Sequence, residues 1–366
     1  DHKRRSVFQA LRQTEAVFPC AARTAVPVLL SALTEGEDLM NAKAEISVIV
    51  PCFNAERYLS TCLESLKAQK EPALEMIFID DGSTDATGAI LDAFARTGPR
   101  ASVLHIHNSG VSAARNRGIT MASGRYIAFV DADDALEENG FALLYQAAVR
   151  SGAQITSANH TLFDMEKNRR VPVQIEPVLQ QPLEIAREII HMHRIYNNLW
   201  NKLYERELFE DGLRLDEGVR IGEDALLNLQ LYLRARRVMH IPEHTYVYRV
   251  HARSAMANIG RYSEAHQPML AGMNAILLRQ GVKELYFRDF LQSCVWVDEK
   301  ESGIRACMGR FNAQIRPLVL DGVDASRIPR KDARLYRAVT AGRFPRLYML
   351  LRIREKITGR KWGIRR

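Results

Sequence analysis

In the stretch from Gly124 to Asp134, GRYIAFVDADD, the strand-forming residues Tyr126, Ile127, Phe129 and Val130 run directly into Asp131, Asp133 and Asp134. Such a run reads as a strand buried on both faces, so its carboxyl end should deliver the acids to one edge of a sheet, where ligands bind in open α/β folds. If the extended conformation continues, Asp131 and Asp133 point the same way and offer two hard oxygen ligands suited to Mg or Mn. Position 132 between them is an alanine, not an aspartate, so Ala132 is given no part in binding nucleotide or metal. The bland alternative is an acidic loop that caps a helix beginning near Glu137. Other acidic pairs stand at comparable junctions. Asp80 and Asp81 end MIFID, where an acid can accept from a ribose hydroxyl or a base N–H, although DGS is also a common turn. Glu223 and Asp224 open an apolar helical pattern, where the dipole and free N–H groups favour carboxylates, so simple capping competes with chemistry.

The elements that must position these acids alternate along the chain. ISVIVP, from Ile46, reads as a buried strand. NAERYLSTCLESLKAQ reads as a helix with Tyr58, Leu59, Cys62, Leu63 and Leu66 on one face and Asn54 as its expected cap. Pro51, Phe53, Asn54 and Glu56 lie at this junction, where backbone and side chains could pack on a base. A strand from Met76 to Asp80, a helix through Ile90, Leu91 and Phe94, and a strand from Ser102 to Ile106 follow. Next comes the helical GVSAARNRGITMAS, which carries Arg115 and Asn116. An arginine here could neutralise a diphosphate or hold an Asp of the central motif, and Ala113 and Ala114 beside it predict close packing. Alternation with short connections predicts a parallel sheet with right-handed crossovers, its first half binding a nucleotide.

After Asp134 the pattern is mixed. A helix is expected near Glu137 to Arg150, then the strand QITSANH, a polar Pro-containing stretch from Glu166 to Pro182, and a helix from Leu183 to His193. Trp200, Asn201 and Lys202 precede a further apolar helical face. A strand from Tyr246 enters a polar loop with His251 and Ser254. Beyond about Gly260 the text is helical and increasingly basic.

The net charge of +8 conceals an asymmetry: the last 40 residues, from Arg327, carry a net +12, which leaves −4 for the rest. The basicity therefore belongs to the tail. Five cysteines, scattered and without metal-ligand spacing, suggest a reducing compartment. No apolar run reaches the roughly 18 to 20 residues of a membrane span. The chain does not begin with Met, and residues 1–44 carry no sustained period and no assigned function.

Four stretches together resemble the inverting nucleotide-sugar glycosyltransferases of family 2, which have the GT-A fold. They are SVIVPCFNAERYL, IDDGSTDAT, GVSAARNRGI followed by GRYIAFVDADD, and the later GEDALLNL. The resemblance covers roughly Ile46 to Met256. It implies an α/β fold, Rossmann-like with a mostly parallel central sheet and flanking helices, as a GT-A domain over 45–257 with a helical, basic region over 258–366. It also implies transfer of a sugar from a nucleoside diphosphate sugar, with UDP as the expected nucleotide, to a glycan or lipid-linked hydroxyl with inversion.

Residue by residue, the family places Pro51, Phe53, Asn54 and Glu56 on the nucleoside, Asp81 on uracil with Asp80 beside it, and Arg115 and Asn116 beside the nucleotide. Asp131 matches a contact to ribose or metal-bound water. Asp133 matches the principal ligand of Mn or Mg on the diphosphate, with Asp134 a weaker candidate and His251 a further ligand, Ser254 its companion. Asp224 matches the base, with Glu223 next to it, and Trp200 and Lys202 are expected on the acceptor side. The resemblance further implies surface polysaccharide or glycolipid synthesis on the cytoplasmic side.

Independently, FPRLYMLLRIREKITGRKWGIRR reads as a basic amphipathic helix ending near Trp362, suited to the anionic inner face of a membrane. The alternative is a terminal helix docked on its own domain. Nucleic acid is not an expected partner, since no recognition motif accompanies the charge. Competing readings are a sugar-phosphate nucleotidyltransferase, which would want a Gly-rich basic loop that Cys52 to Arg57 does not supply, and a catalytically silent nucleotide- or glycan-binding module.

Overall fold

The computed structural model describes residues 44–70, 72–97, 100–175, 181–191, 197–251 and 262–358. The apolar run after Glu45 is β1 (Ile46–Cys52). It is covered by α1 (Glu56–Lys67), which buries Tyr58, Leu59, Cys62, Leu63 and Leu66 at the expected helical spacing. Then come β2 (Leu74–Asp80), α2 (Thr87–Thr97), β3 (Ala101–His105), α3 (Val111–Met121) and β4 (Tyr126–Phe129). The strands β3, β2, β1 and β4 lie side by side and pair in parallel, as the alternation predicts.

The second half is mixed. It contains β5 (Ala135–Leu136), α4 (Gly140–Ser151), β6 (Ile155–Asp164), β7 (Arg169–Val173), α5 (Pro182–Ile190), β8 (Lys202–Glu205), α6 (Glu223–Arg234) and β9 (Val238–Val250). The described strands form one sheet of order β3-β2-β1-β4-β8-β6-β9-β5, with β7 on β6. β8 runs antiparallel to both β4 and β6, whereas β6 and β9 are parallel.

This half departs from its local sequence pattern at identifiable places. The helical face expected after Lys202 is β8 followed by a short 3-10 turn, Arg206–Phe209. Leu203 and Tyr204 are both fully buried because the strand is held between two neighbours, a constraint invisible in a four-residue run. β7 was hidden by its charges and by Pro172. It pairs only with β6 among the described strands, and proline is tolerated on an edge. The helix expected from Glu137 starts at Gly140, since Ala135 and Leu136 pair with β9.

From Tyr262 on, the described residues form helices and turns: α7 (Tyr262–Arg279), α8 (Phe287–Arg310), α9 (Arg316–Leu320), α10 (Ala333–Thr340) and α11 (Phe344–Thr358). One apolar cluster runs from Ile49, Ile127 and Phe129 in the sheet through Leu226 and Leu229 of α6 to Met273, Phe290, Phe311 and Phe344. The opposite face of the sheet has its own core around Val48, Phe78, Leu63, Tyr126 and Tyr246. The tail helix α11 docks on the body: Phe344 lies 4.6 Å from Phe311, and Tyr348 and Arg352 both bond Glu299. Trp362 and the side chains beyond Arg352 lie outside the described residues. Among those described, no helix is long and apolar enough to cross a membrane.

Candidate active site

The site gathers where β4 ends against α3 and α6. The strand stops at Phe129 and the chain turns, with Asp134 N donating to Asp131 O at 3.0 Å. The extended alternation expected of Asp131 and Asp133 is therefore replaced by a turn that aims them at different partners. Asp131 meets Arg115, and Asp133 Oδ2 stands 3.0 Å from His251 Nε2. Position 132 is alanine, which interrupts the acidic run and offers no side-chain oxygen. Ala132 is buried and packs into the core that holds Val130 and Leu136, pinning the turn from its apolar side. Asp134 lies beneath the other acids. It is buried, accepts from Tyr246 OH and from Arg249 N at 2.8 Å each, and is lifted well above the usual carboxylate range by burial and by Asp131 and Asp133. Tyr246 OH in turn accepts from Asp131 N at 3.1 Å, so Asp134 supports the turn from below.

Helix α3 can approach β1 because its inward residues are small. A Cβ on Gly118 would fall 2.3 Å from Ile49 Cγ2, and Ser112, Ala113 and Ala114 are buried beside it. That closeness brings Arg115, whose side chain is only 5% exposed, between two acidic groups. Its Nη2 donates to Asp131 Oδ1 at 2.9 Å and its Nη1 to Asp224 Oδ1 at 2.7 Å, with Glu223 Oε1 at 3.5 Å. Burial opposes the guanidinium charge, but Asp224, Asp131 and Glu223 outweigh it and hold the proton more tightly than usual. Arg115 Nε is buried with no partner among the described residues.

Glu223 and Asp224 begin α6 as the sequence suggests, with Gly222 as the N-cap at φ 87°. The glycine is required twice over, since a Cβ there would also lie 2.2 Å from Met269 Sδ of α7. Burial, reinforced by Asp224 and resisted by Arg115, raises Glu223 to about 7. Asp224 is raised as well, burial prevailing over the nearby Arg115. A carboxylate whose proton affinity is raised while an arginine fixes its orientation is suited to proton transfer.

The expected nucleotide residues sit at the ends of β1 and β2. Pro51 pairs with Ile79 in the ladder. Asp81 accepts from Ser109 N at 2.7 Å and Gly110 N at 2.9 Å, which ties the β2 end to the loop before α3. Asp80 is buried, yet hydrogen bonds from Ser83 and His105 outweigh that burial and hold its carboxyl below the usual range. Asn54 is not the cap of α1. That position is Ala55, with no side-chain cap. Asn54 adopts φ 47°, and its Oδ1 accepts from Thr84 N at 2.9 Å. Glu56 Oε2 accepts from Ala86 N at 2.9 Å, while Asp85 and Thr87 accept from Glu56 N and Ala55 N, so the neighbouring loop caps the helix instead. Between these clamped loops Phe53 stays 49% exposed and can offer its ring to a base.

Three expected residues make contacts that the local sequence did not indicate. Lys202 is 1% exposed; its Nζ donates to Asn198 O, Trp200 O and Asn201 Oδ1, and burial lowers it to about 7. It braces the chain under the site. Trp200 stacks on Tyr246 and Tyr248 at 4.8 and 5.4 Å, which anchors β9. Asn116 turns to Leu215 and Glu217. Ser254 lies outside the described residues. Sequence reading missed Tyr246 and Gly118 as site-building residues; the small-residue spacing of α3 was the available signal for the second.

Asp131, Asp133 and His251 near the turn are side chains of the types that ligate a divalent cation. Asp133 is 39% exposed, and burial and then Asp131 raise its carboxyl, with His251 offsetting them in part. Negative charge thus accumulates where a cation would relieve it. Among the described residues, no group of three or more His, Cys, Asp or Glu is arranged to hold a metal. An ion held by Asp133, with Asp131 and His251 close by, would need oxygens from water or substrate.

The profile of Glycosyl transferase family 2 matches residues 47–213. Glycosyltransferase GlyG of Streptococcus pneumoniae serotype 4 is 34% identical over 224 residues, which cover 58% of this chain and 72% of that protein. EpsJ, an uncharacterized glycosyltransferase of Bacillus subtilis, is 36% identical over 209 residues, 56% of this chain; the match spans only 60% of the length of EpsJ. The crystal structure of S. aureus TarS residues 1–349 with UDP-GlcNAc shares the fold with a TM-score of 0.62 at 20% identity, covering 82% of this chain and 88% of that one. The fold is GT-A, and the chain belongs to glycosyltransferase family 2.

Proposed function

We propose that this protein is an inverting, metal-dependent glycosyltransferase that takes its sugar from a nucleoside diphosphate sugar. The observation that carries the reading is the Asp131–Arg115–Asp224 link, which joins the strand-end acids to a second carboxylate of raised proton affinity. In the proposed reaction an acceptor hydroxyl attacks the anomeric carbon. The new C–O bond forms as the bond to the diphosphate oxygen breaks, the electron pair leaves with the nucleoside diphosphate, and Asp224 takes the hydroxyl proton. Such a base contributes about 10² to 10⁴ in rate. Arg115 keeps the Asp224 carboxylate oriented, and Phe53, Asp80 and Asp81 bound the nucleoside end. A bound Mg or Mn ion, held by Asp133 with Asp131 and His251, would neutralise charge on the diphosphate.

UDP is the nucleotide to test first, because TarS, which shares the fold, holds UDP-GlcNAc. The acceptor class proposed is a glycan or lipid-linked hydroxyl in surface polysaccharide or glycolipid synthesis at the cytoplasmic face. Peripheral attachment through the basic C-terminus is part of the same proposal. Its test is partition onto anionic vesicles, which truncation after Gly342 should abolish.

The deciding experiment titrates UDP, GDP and dTDP calorimetrically, with and without Mn, into the wild type and Asp133→Ala. Metal-dependent binding of one nucleotide, lost in the variant, is expected. Asp224→Asn should retain that binding while turnover of the matching sugar donor falls about 10² to 10⁴-fold. If no nucleotide binds under any condition, a silent glycan-binding module becomes the better reading.

A further inference from the structure

Arg115, expected either to neutralise a diphosphate or to hold an Asp of the central motif, and Asn116, expected beside the nucleotide, both bond to other parts of the chain. Arg115 is enclosed by Asp131, Asp224 and Glu223. On the next residue, Asn116 Nδ2 donates to Leu215 O at 3.0 Å and to Glu217 Oε1 at 2.9 Å, while its Oδ1 accepts from Leu215 N at 2.9 Å. The amide therefore bonds the Leu215 peptide as a neighbouring strand would, through both its donor and its acceptor. A further contact from α3 reaches the same stretch, where Arg214 Nη2 stands 3.5 Å from Thr120 Oγ1.

The segment so gripped leads straight to the proposed base. Residues 213–222 have no helix or strand of their own; Leu215 and Val219 are buried, and Gly222 then turns left-handed into α6 and Asp224. Such a connection would be free to shift unless something fixed it, and two consecutive side chains of α3 fix both its ends. We propose, building on the transferase reading above, that Asn116 and Glu217 are positioning residues. They lock the 215–222 connection onto α3 so that Asp224 is held at its working distance, and Asn116 does not contact the nucleotide. A displacement of about 1 Å at a reacting group can cost on the order of 10²-fold in rate, so the clamp should register in turnover.

The test compares wild type, Asn116→Asp, Glu217→Ala and the double variant Asn116→Asp/Glu217→Gln. The carboxylate introduced at position 116 would lose the bond to Leu215 O and oppose Glu217, whereas the amide introduced at position 217 of the double variant can donate to it and restore the side-chain pair. Three readouts are taken: UDP affinity by calorimetry, kcat and KM for a UDP-sugar the wild type turns over with water as acceptor, and amide hydrogen exchange across 215–226. Asn116→Asp should lower kcat about 10-fold or more, with UDP affinity and KM within about 3-fold of wild type and faster exchange in the segment. Glu217→Ala, at an exposed site that does not threaten folding, should lower kcat about 3-fold or more in the same pattern, and the double variant should recover part of the loss.

UDP affinity falling in step with rate would overturn the proposal in favour of a nucleotide contact. Unchanged kcat in both single variants, or no recovery in the double variant, would overturn it too. If the wild type binds no nucleotide, it is the transferase reading that fails. Hydrogen exchange then still judges the clamp, and unchanged exchange in Asn116→Asp rejects it.

Discussion

Arg115 and Glu223 show how burial tunes this site. Arg115 is surrounded by three carboxylates in a setting where an unpaired charge would be costly, so each acid secures the arginine and the arginine restrains each acid. Glu223 stays the exception, since burial and Asp224 leave it at about 7. Folded Glu223 holds its proton to higher pH than the unfolded residue, whose ordinary value is about 4.3, so its contribution is favourable at low pH and is lost as pH rises toward 7. Glu223→Gln, which resembles the protonated form, should match the wild type in melting temperature near pH 4. At pH 8 it should exceed the wild type by roughly 2 to 6 °C. Equal melting temperatures at both pH values would show that Glu223 is not shifted. The acids themselves were legible in the sequence as strand-end and helix-start residues. Their mutual relation was not, because residues 115, 131 and 224 meet only through the packing of three elements.

Among the elements, the position of α3 decides the site. The helix reaches β1 only because Gly118 has no side chain, with Ile49 Cγ2 occupying the space a Cβ would need. Gly118→Ala should push α3 outward and reduce stability by about 1 to 3 kcal/mol, as overpacking in cores does. It should also lower turnover more than nucleotide affinity, since Arg115 moves with the helix. A variant as stable as wild type by denaturant melt would mean the helix can rise without penalty. The long amphipathic α1 and the alternation through β4 could be read from periodicity. By contrast β8, β7 and the start of β9 took their form from neighbouring strands, so short or charged runs there misled a reading based on local pattern.

Across the whole chain, the helices after Tyr262 are bound up with the sheet. Met269 lies against Gly222 at the start of α6, and Met273, Phe290, Phe311 and Phe344 belong to the same cluster as Ile49 and Phe129. Removing everything from Tyr262 onward would expose that face of α6 and the apolar surface beneath it. The fragment ending ahead of Tyr262 should aggregate or lose a cooperative melt, and its site should fail to bind nucleotide. A soluble fragment that melts cooperatively near the wild-type temperature would instead make 45–257 an independent domain. The tail helix adds a smaller contact, through Phe344, Tyr348 and the Glu299 bonds, while leaving Leu350 65% exposed.

Local pattern was enough to establish the class of fold and the inventory of acids. Buried strands ending in carboxylates, amphipathic helices of the right period and the four motif stretches all act over a few residues, where propensity and spacing suffice. Which side chains work together was settled by packing alone. Lys202 turned inward because a strand carried it under the site, Asp134 became a buried support, Ala132 went into the core beside the acids, and Asn116 came to bond Leu215 and Glu217. These outcomes depend on how elements far apart in the chain pack, and nothing in the local spacing of residues encodes which face of one helix will meet which end of another.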